Sequence, residues 1–257
     1  MDPSSRISLA ITHYCRFGLL QECLNPIIND ERIAEIVISD DASIDESYEQ
    51  LTRKYKDHPK IKLFRNATNL DCYRNKAKAV ELATNSWVVL FDSDNILKSD
   101  YLDALYRIPQ WDPTVIYCPD WAQPHFDYTA FAGVMIDQHN VSQMMGRERM
   151  GQVTLRRQMV NKLVLPAVNS RFRTALNTCN YFVHRDEYLS VWDGSCDPHT
   201  ADSIFQAYNW LKSGRKIFFV PGMRYLHRIH EDSHFKINQY KTGDFHKRVE
   251  QNLIALK

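Results

Sequence analysis

The chain has 257 residues, and 44% of them are hydrophobic, which is ordinary for a globular fold that buries a core. Its 32 Lys and Arg residues nearly balance 31 Asp and Glu residues, so no strong net charge indicates nucleic acid or an anionic membrane as a partner. The composition excludes a disordered or fibrous protein, and the function must depend on local chemistry.

The first half of the chain alternates short β-branched runs with longer helical segments. Strands are predicted at Ile7–Thr12, Ala34–Ser39, Ile61–Phe64, Trp87–Phe91 and Val115–Cys118. Helices are predicted near Leu19–Asn29, Ser47–Lys56, Tyr73–Ala83 and Ser99–Arg107. This alternation predicts βαβ units with right-handed crossovers, and therefore a three-layer α/β/α sandwich with a mostly parallel, Rossmann-like central sheet.

The second half is less regular. Residues 122–177 lose the alternation, and we expect an irregular or helical insertion there. The pattern returns at Tyr181, with a helix predicted over Ala201–Ser213 and a strand over Lys216–Val220 that Pro221 closes. The chain shows no repeat or linker, so a single domain over residues 1–257 is expected.

Cysteine usage and hydropathy predict the compartment. The six cysteines form no C-x-x-C pair, and we expect reduced thiols at Cys15, Cys23, Cys72, Cys118, Cys179 and Cys196. The N-terminal segment MDPSSRISLAITHY lacks the features of a signal peptide, and no uncharged apolar stretch reaches membrane-spanning length. We expect a cytoplasmic protein with at most peripheral membrane association.

Polar residues follow three of the predicted strands: Thr12, His13 and Tyr14, then Ser39, Asp40 and Asp41, then Asp92, Ser93 and Asp94. The carboxyl ends of parallel strands share one edge of a sheet, where ligands bind in α/β folds. Asp40 and Asp41 could accept hydrogen bonds from a nucleotide base or ribose. The alternative is that this segment only caps the following helix, through Ser43 or Asp45.

The glycine distribution excludes two common nucleotide sites. No glycine lies between Gly18 and Gly133, so the first half has neither a G-x-G-x-x-G loop nor a P-loop, and both need glycine for close backbone approach to phosphate. The sequence therefore argues against a dinucleotide-dependent oxidoreductase and against a P-loop NTPase. A divalent metal held by carboxylates is the natural substitute for neutralising phosphate charge.

The segment LFDSDNIL contains a D-x-D pair, Asp92 and Asp94. Side chains at i and i+2 of a strand start roughly 6.6 Å apart, whereas Mg²⁺ or Mn²⁺ binds oxygens at about 2.1 Å, so chelation by both requires the chain to turn. We expect Asp94 to be the direct ligand, with Asp92 acting through water or a sugar hydroxyl. A solvated strand end is the alternative.

Five segments, in this order and spacing, resemble the nucleotide-sugar-dependent glycosyltransferases of family 2, which have the GT-A fold: ISLAITHYCR, IVISDDASIDES, NLDCYRNKAKAVELA, WVVLFDSDNIL and ADSIFQAYNWLKSGRKIFFVPGMRYLHR. The resemblance covers most of the chain outside the middle insertion. It implies a metal-dependent, inverting transfer of a hexose from a nucleoside diphosphate to a hydroxyl of a glycan, lipid-linked or protein-linked acceptor. It implies a UDP-sugar donor, with a GDP-sugar as the second choice, and Mn²⁺ or Mg²⁺ as cofactor.

The resemblance also implies roles for individual residues. Donor-nucleotide contacts are implied for Thr12, Tyr14, Asp41, Arg74, Asp92 and Ser93. The metal would be held by Asp94 and Asp92, with His227 contacting the metal or the diphosphate. Asp202 matches the general base, and residues 1–118 would form the donor half and residues 119–257 the acceptor half.

Three positions depart from the family pattern. Ala42 and Asp71 stand where the family usually or often has glycine, which puts the loop geometry in question. Ala201 replaces the acidic residue that commonly precedes the base, so Asp197 and Glu231 are alternative bases.

The segment LHRIHEDSHF places His227, His230 and His234 where one helical face could carry all three. A structural zinc site is a possible reading, but no cysteine pair accompanies these histidines, and closed zinc sites usually have four ligands. A single metal-contacting histidine is therefore favoured.

The rival to an enzyme is a non-catalytic nucleotide-sugar or carbohydrate-binding module of a larger assembly. Both would bind the nucleotide with a metal, and only the enzyme would turn the donor over.

Overall fold

The computed structural model describes residues 6–149, 159–160, 163–164, 172–196, 202–230 and 243–256. The strands are β1 Ile7–His13, β2 Ile33–Asp40, β3 Ile61–Arg65, β4 Trp87–Asp92, β5 Ile96–Leu97, β6 Val115–Gln123, β7 Phe126–Asp127, β8 Met135–Ile136, β9 Met159–Val160, β10 Leu163–Val164, β11 Phe182–His184 and β12 Lys216–Leu226. The helices are α1 Phe17–Leu24, α2 Ser47–Tyr55, α3 Asp71–Leu82, α4 Ser99–Tyr106, α5 Gln138–Arg149, α6 Phe172–Leu176, α7 Arg185–Val191, α8 Asp202–Lys212 and α9 Gly243–Ala255.

The central sheet has the strand order β3-β2-β1-β4-β11-β6-β12-β5. Strands β1 to β4 pair in parallel, as do β6 and β12, whereas β11 runs antiparallel between β4 and β6. Helices α3, α7 and α8 pack on one another, and α1 packs against α2 and β5. The predicted α/β fold with a central, Rossmann-like sheet is confirmed.

Strands β1, β2 and β4 are buried on both faces, which explains why their sequences are almost continuously apolar. Ile7, Leu9 and Ile11 of β1 are fully buried, as are Val88 to Phe91 of β4. The register aligns the carboxyl ends, because Thr12 pairs with Ser39 on one side and with Asp92 on the other. The polar strand ends therefore lie along one edge, as the sequence predicted.

Three predicted boundaries are wrong by several residues: β6 continues past Cys118 to Gln123, and a proline lies at each of the other two. Helix α1 ends at Leu24 instead of Asn29, because Pro26 has no N–H to continue the helical hydrogen bonds, although Asn25 still has helical φ and ψ. Strand β12 does not close at Pro221 but continues to Leu226, with a register shift between Val220 and Arg224. The shift is a β-bulge, where a proline can sit inside a strand.

A buried carboxylate holds this bulge. Asp120 on β6 accepts a hydrogen bond from the backbone N–H of Gly222 at 2.7 Å, and its other oxygen lies 3.3 Å from the side chain of Arg224. Gly222 has a φ of +79°, which only glycine adopts readily. The bulge lets β12 carry residues 224–226 on to pair with β6 and β5.

The middle insertion contains helix α5 and the paired strands β9 and β10 within the described ranges. All six cysteines lie in the described part of the chain, and none of them forms a disulfide. Among the described residues, no helix combines the length and apolarity needed to cross a bilayer.

Candidate active site

The end of β2 builds a tightly bonded loop from two buried acids. Asp40 accepts hydrogen bonds from the backbone N–H and the hydroxyl of Ser43, at 3.0 and 2.5 Å. Asp41 accepts from the side chain of Asn66 at 3.0 Å and from the backbone N–H of Leu70 at 2.8 Å. Burial raises the pKa of both carboxyl groups, and these hydrogen bonds counteract the rise.

The two glycine replacements keep the left-handed backbone that the family's glycines would provide. Ala42 has a φ of +58° and Asp71 a φ of +66°. Each L-residue in this region costs roughly 1–2 kcal/mol. Backbone strain at Ala42 and Asp71 therefore destabilises the loop that carries Asp41 and the loop that begins α3.

The predicted nucleotide contacts lie around Asp41 and the end of β1. The side chain of Tyr14 is exposed. Partial desolvation of its hydroxyl, together with the nearby Cys15 and Asp41, raises the pKa of Tyr14. Thr12 donates a hydrogen bond to Asp92 across the strand pair at 3.4 Å. Ser93 is buried, whereas Arg74 is exposed on the first turn of α3. The nucleotide-binding roles of these residues remain predictions.

Asp92, the last residue of β4, is held by protein groups on both of its oxygens. Oδ1 takes the Thr12 hydrogen bond and lies 3.6 Å from the ammonium of Lys76, and Oδ2 lies 2.7 Å from the thiol sulfur of Cys179. The backbone N–H of Asp92 donates to the side chain of Asn180 at 2.7 Å. Asn180 is buried with a φ of +66°, so the segment before β11 fixes the end of β4.

The chain turns directly after Asp92, and Asp94 consequently belongs to a different set of contacts. Its Oδ2 lies 2.8 Å from the guanidinium of Arg16 and 3.1 Å from Nε2 of His230. Burial alone would raise the pKa of Asp94, but the hydrogen bond from His230 and the charge of Arg16 lower it below its usual value. Asp94 is therefore an ionised carboxylate ringed by cationic or imidazole groups.

Residues 227–230 follow β12 as an irregular segment, so the predicted helical face of histidines is wrong. The ring of His227 packs edge-on against Phe126 at 5.0 Å. Burial lowers its pKa, against the opposing charges of Asp94 and Asp92, so the imidazole is neutral at pH 7. Its buried Nδ1 has no hydrogen-bond partner within the described residues. His230, not His227, makes the direct contact with Asp94.

Asp202 begins α8, as predicted, and is 8% exposed. Its Oδ2 lies 2.6 Å from the ammonium of Lys76, the same group that approaches Asp92. The structure thus brings the distant Asp202 to the end of β4. Its role as general base remains a prediction, and the alternatives Asp197 and Glu231, together with Ala201 and His234, lie outside the described residues.

Few groups that could hold a divalent ion lie side by side in the described part of the chain. Within the described ranges, no three His, Cys, Asp or Glu side chains are grouped closely enough to form a metal site. Asp94 and His230 do offer an oxygen and a nitrogen side by side, and His227 offers an unpartnered buried nitrogen. This set fits an ion whose coordination is completed by substrate phosphates and water.

Sequence reasoning missed four residues of this site: Arg16, Lys76, Cys179 and Asn180. Lys76 lies among other cations in the segment YRNKAK, where a lysine normally faces solvent. The only sequence signal for Lys76 is its place between the apolar positions of α3. Arg16 follows the first strand end and could have been found there, but nothing in the sequence pairs it with Asp94.

Comparison with known proteins now identifies the family. The family model described as "Glycosyl transferase family 2" matches residues 8–161, more than half of the chain. The protein belongs to glycosyl transferase family 2. The matched range contains Thr12, Asp41, Arg74, Asp92 and Asp94, while Asp202, His227 and His230 lie beyond it.

Individual relatives agree with this assignment. The abequosyltransferase RfbV of Salmonella typhimurium is 38% identical over 104 residues, which cover 38% of this chain and 31% of RfbV. The S. aureus TarS fragment 1–349 in complex with UDP-GlcNAc has a TM-score of 0.68 at 14% identity, covering 96% of this chain and 65% of that one. The mannosyltransferase PcManGT of Pyrobaculum calidifontis, in complex with GDP-Man and Mn²⁺, has a TM-score of 0.63 at 15% identity, covering 98% and 69%. The chain thus spans under a third of its sequence relative, and the structural likenesses establish the fold.

Proposed function

We propose that this protein is an inverting glycosyltransferase that moves a hexose from a nucleoside diphosphate to an acceptor hydroxyl. The observation that carries the proposal is the meeting of Asp92 and Asp202 at one ammonium, that of Lys76. A strand-end acid on the donor side and a helix-start acid from the second half thereby converge on one place. Such convergence of carboxylates is what transfer between two bound sugars requires.

The chemistry proceeds as a single displacement. The acceptor oxygen forms a bond to the anomeric carbon while the bond from that carbon to the diphosphate oxygen breaks, and the bonding electrons leave with the diphosphate. The acceptor proton passes to the carboxylate of Asp202. One displacement inverts the anomeric centre, and general-base assistance contributes roughly 10²- to 10⁴-fold.

The nucleotide would lie across the ends of β1 and β2. Tyr14 is an exposed ring beside Asp41, and Asp41 is held in place by Asn66 and Leu70. A stacked ring and a fixed carboxylate suit a base with N–H donors, and uracil and guanine both present one. Thr12, Asp92 and Ser93 would border the ribose, and the exposed Arg74 would approach the diphosphate.

A divalent ion would be held by Asp94, with His230 or His227 as a nitrogen ligand. When bound, such an ion neutralises charge on the departing diphosphate. A mixed carboxylate and imidazole set favours Mn²⁺ over Mg²⁺, which prefers oxygen ligands. Arg16 contacts the same oxygen of Asp94, and its guanidinium would turn from Asp94 to the diphosphate when an ion is present.

The acceptor would lie toward residues 119–257, next to Asp202, with the donor in residues 1–118. A glycan, a lipid-linked glycan or a protein-linked glycan would supply the hydroxyl. The names of similar proteins mention UDP-GlcNAc, GDP-Man and abequose transfer. A UDP-sugar is the first donor to test and a GDP-sugar the second.

The test is a screen of nucleotide sugars with the purified protein, which measures release of the nucleoside diphosphate with Mn²⁺, with Mg²⁺ and with EDTA. Slow release without acceptor is expected for one donor. Asp202→Asn should lower that turnover by roughly 10²- to 10⁴-fold, while the dissociation constant for the nucleotide changes by less than about threefold. Asp186→Asn, an exposed acid on α7, is the matched control and should behave as wild type.

A non-catalytic binding module makes a different prediction. It would bind the nucleotide with the same ion but release none of it by turnover, under any donor or acceptor in the screen. If Asp202→Asn instead turns the donor over at the wild-type rate, the protein is an enzyme but Asp202 is not its general base.

A further inference from the structure

Lys76 is a buried cation on a helix whose other inward-facing residues are mostly apolar. It is 7% exposed and lies on α3 between the buried Asn75 and Ala77. A buried ammonium is costly unless it is paired, and here it lies 2.6 Å from Asp202 and 3.6 Å from Asp92. Burial works against its charge, yet the two carboxylates outweigh burial and raise the pKa of Lys76 well above the usual value.

The groups around this ammonium come from four parts of the fold. The ionisable groups that face Lys76 lie on β4, on α8, in the segment before β11 and in the first turn of α3; they are Asp92, Asp202, Cys179 and Cys72. Burial raises the pKa of both thiols, so they are neutral at pH 7. Lys76 therefore lies between two carboxylates, one from β4 and one from α8.

We propose that Lys76 is a positioning residue for the transfer, which holds the carboxylate of Asp202 beside the donor-side strand end at Asp92. This inference rests on the proposed function, in which Asp202 accepts the acceptor proton. Without the ammonium, two carboxylates would face each other across a buried space, and their repulsion would turn Asp202 away from the anomeric carbon. The hydrogen bond occupies Oδ2 of Asp202 and fixes the direction of the carboxylate.

The expected size of the effect follows from the geometry of catalysis. Displacing a reacting group by about 1 Å can cost about 10²-fold in rate. A positioning role therefore predicts a lower kcat with little change in donor affinity, because Lys76 would not contact the nucleotide. A purely structural ion pair predicts lower stability with normal turnover per folded molecule.

The primary variant is Lys76→Met, which keeps the length of the side chain and removes the charge. The expected result is a 10- to 100-fold lower kcat for nucleoside diphosphate release, with the nucleotide dissociation constant changed by less than about threefold. Lys78→Met, on the same helix and half-exposed, is the matched control and should retain wild-type kcat. A wild-type kcat in folded Lys76→Met would overturn the inference.

A double-mutant cycle tests whether Lys76 acts through Asp202. In the Asp202→Asn background, Lys76→Met should lower the residual rate by less than about twofold, because the group it positions is already gone. If the two losses instead multiply, Lys76 acts on the donor or on another group, and the inference is wrong.

Two further variants test whether the charge itself is needed and replace Lys76→Met if that variant does not fold. Lys76→Arg keeps the charge and should recover at least about a tenth of wild-type kcat; recovery no better than Lys76→Met contradicts a role for the cation. If Lys76→Met fails to fold, Lys76→Gln takes its place, with the same expected loss and the same contradicting outcome. An inactive Asp202→Asn beside a fully active Lys76→Gln would refute the role of Lys76 alone, whereas an active Asp202→Asn would refute the proposed base.

Discussion

Two groups of acids lie at the same edge of the sheet and are held in different ways. Asp40 and Asp41 are buried, and their oxygens receive hydrogen bonds from neighbouring loops. Asp94 lies beyond a turn and is paired with the side chains of Arg16 and His230, which come from elsewhere in the chain. Asp40 and Asp41 organise the backbone, so their removal should destabilise the fold, whereas the role proposed for Asp94 predicts that its ion pairs are exchanged for a bound ion.

The largest effect that separates the groups is expected at Asp94. Asp94→Asn should lower Mn²⁺-stimulated nucleoside diphosphate release by about 10²- to 10³-fold, because a direct ligand is lost and metal-ion stabilisation is worth several kcal/mol. The free energy of unfolding, measured in urea without metal, should stay within about 1 kcal/mol. Asp100→Asn, an exposed acid on α4, serves as the control, and an unchanged metal response in Asp94→Asn would remove the metal assignment.

The next effect concerns the stability of the fold at acidic pH, which depends on His13 next to Asp40. His13 is 1% exposed, 3.9 Å from Asp40, and neither ring nitrogen has a hydrogen-bond partner within the described part of the chain. Burial lowers the pKa of His13 to about 4, against the opposing charge of Asp45. The unfolded chain therefore binds the extra proton first, and stability falls as the pH drops from about 6.5 to about 4.

This loss should amount to about 3 kcal/mol across that range, from the difference between the two pKa values. Urea unfolding of the wild type and of His13→Leu at pH 7 and pH 4 measures it, since the variant lacks the titrating group and should lose correspondingly less. Parallel losses in both proteins would show that other groups govern acid unfolding.

A smaller change is expected at Asp40. Asp40→Asn cannot accept both hydrogen bonds of Ser43 equally well, and an unsatisfied buried donor costs about 1–3 kcal/mol. Chemical denaturation should show this destabilisation, with Asp45→Asn on the exposed part of the same loop as comparison. Equal stability of Asp40→Asn and wild type would show that the buried acids do not organise the fold, and the contrast with Asp94 would fail.

The smallest effect tests the strained loop beside Asp41. Ala42→Gly removes the left-handed strain at φ +58° but gains entropy in the unfolded chain, so a net stabilisation of up to about 1 kcal/mol is expected. Ala79→Gly, within α3, should destabilise by about 1 kcal/mol or more, because glycine is unfavourable in a helix. A destabilised Ala42→Gly, measured by thermal unfolding, would contradict the strain.

The sequence predicts those parts of the site that depend on neighbouring residues along the chain. Strand runs, the polar residues that end them and the helix starting at Asp202 are encoded by neighbouring residues, and parallel pairing then brings the strand ends together. The absence of glycine between Gly18 and Gly133 directs attention to the carboxylates, whose roles stay predictions, and the match to the family model confirms the family.

The rest depends on contacts between distant segments. The burial of Lys76 depends on Asp202, which comes 126 residues later, and no local rule anticipates such a pair. The family resemblance favours His227 as the histidine that contacts the metal or the diphosphate. In the structure, however, the irregular segment after β12 places His230 against Asp94. The antiparallel β11 was also unforeseen, although its preceding segment supplies Cys179 and Asn180 to Asp92.

Arg228 sets the order in which the site can be completed during synthesis. Its side chain donates to the backbone carbonyls of Asp94 and Leu19 and pairs with Glu22, so it ties the end of β12 to the first helix. The parallel strands β1 to β4 are all translated by residue 92, long before this arginine leaves the ribosome. A nascent chain should therefore form the sheet edge with Thr12, Asp41 and Asp92 early but assemble the surroundings of Asp94 only near the end of translation.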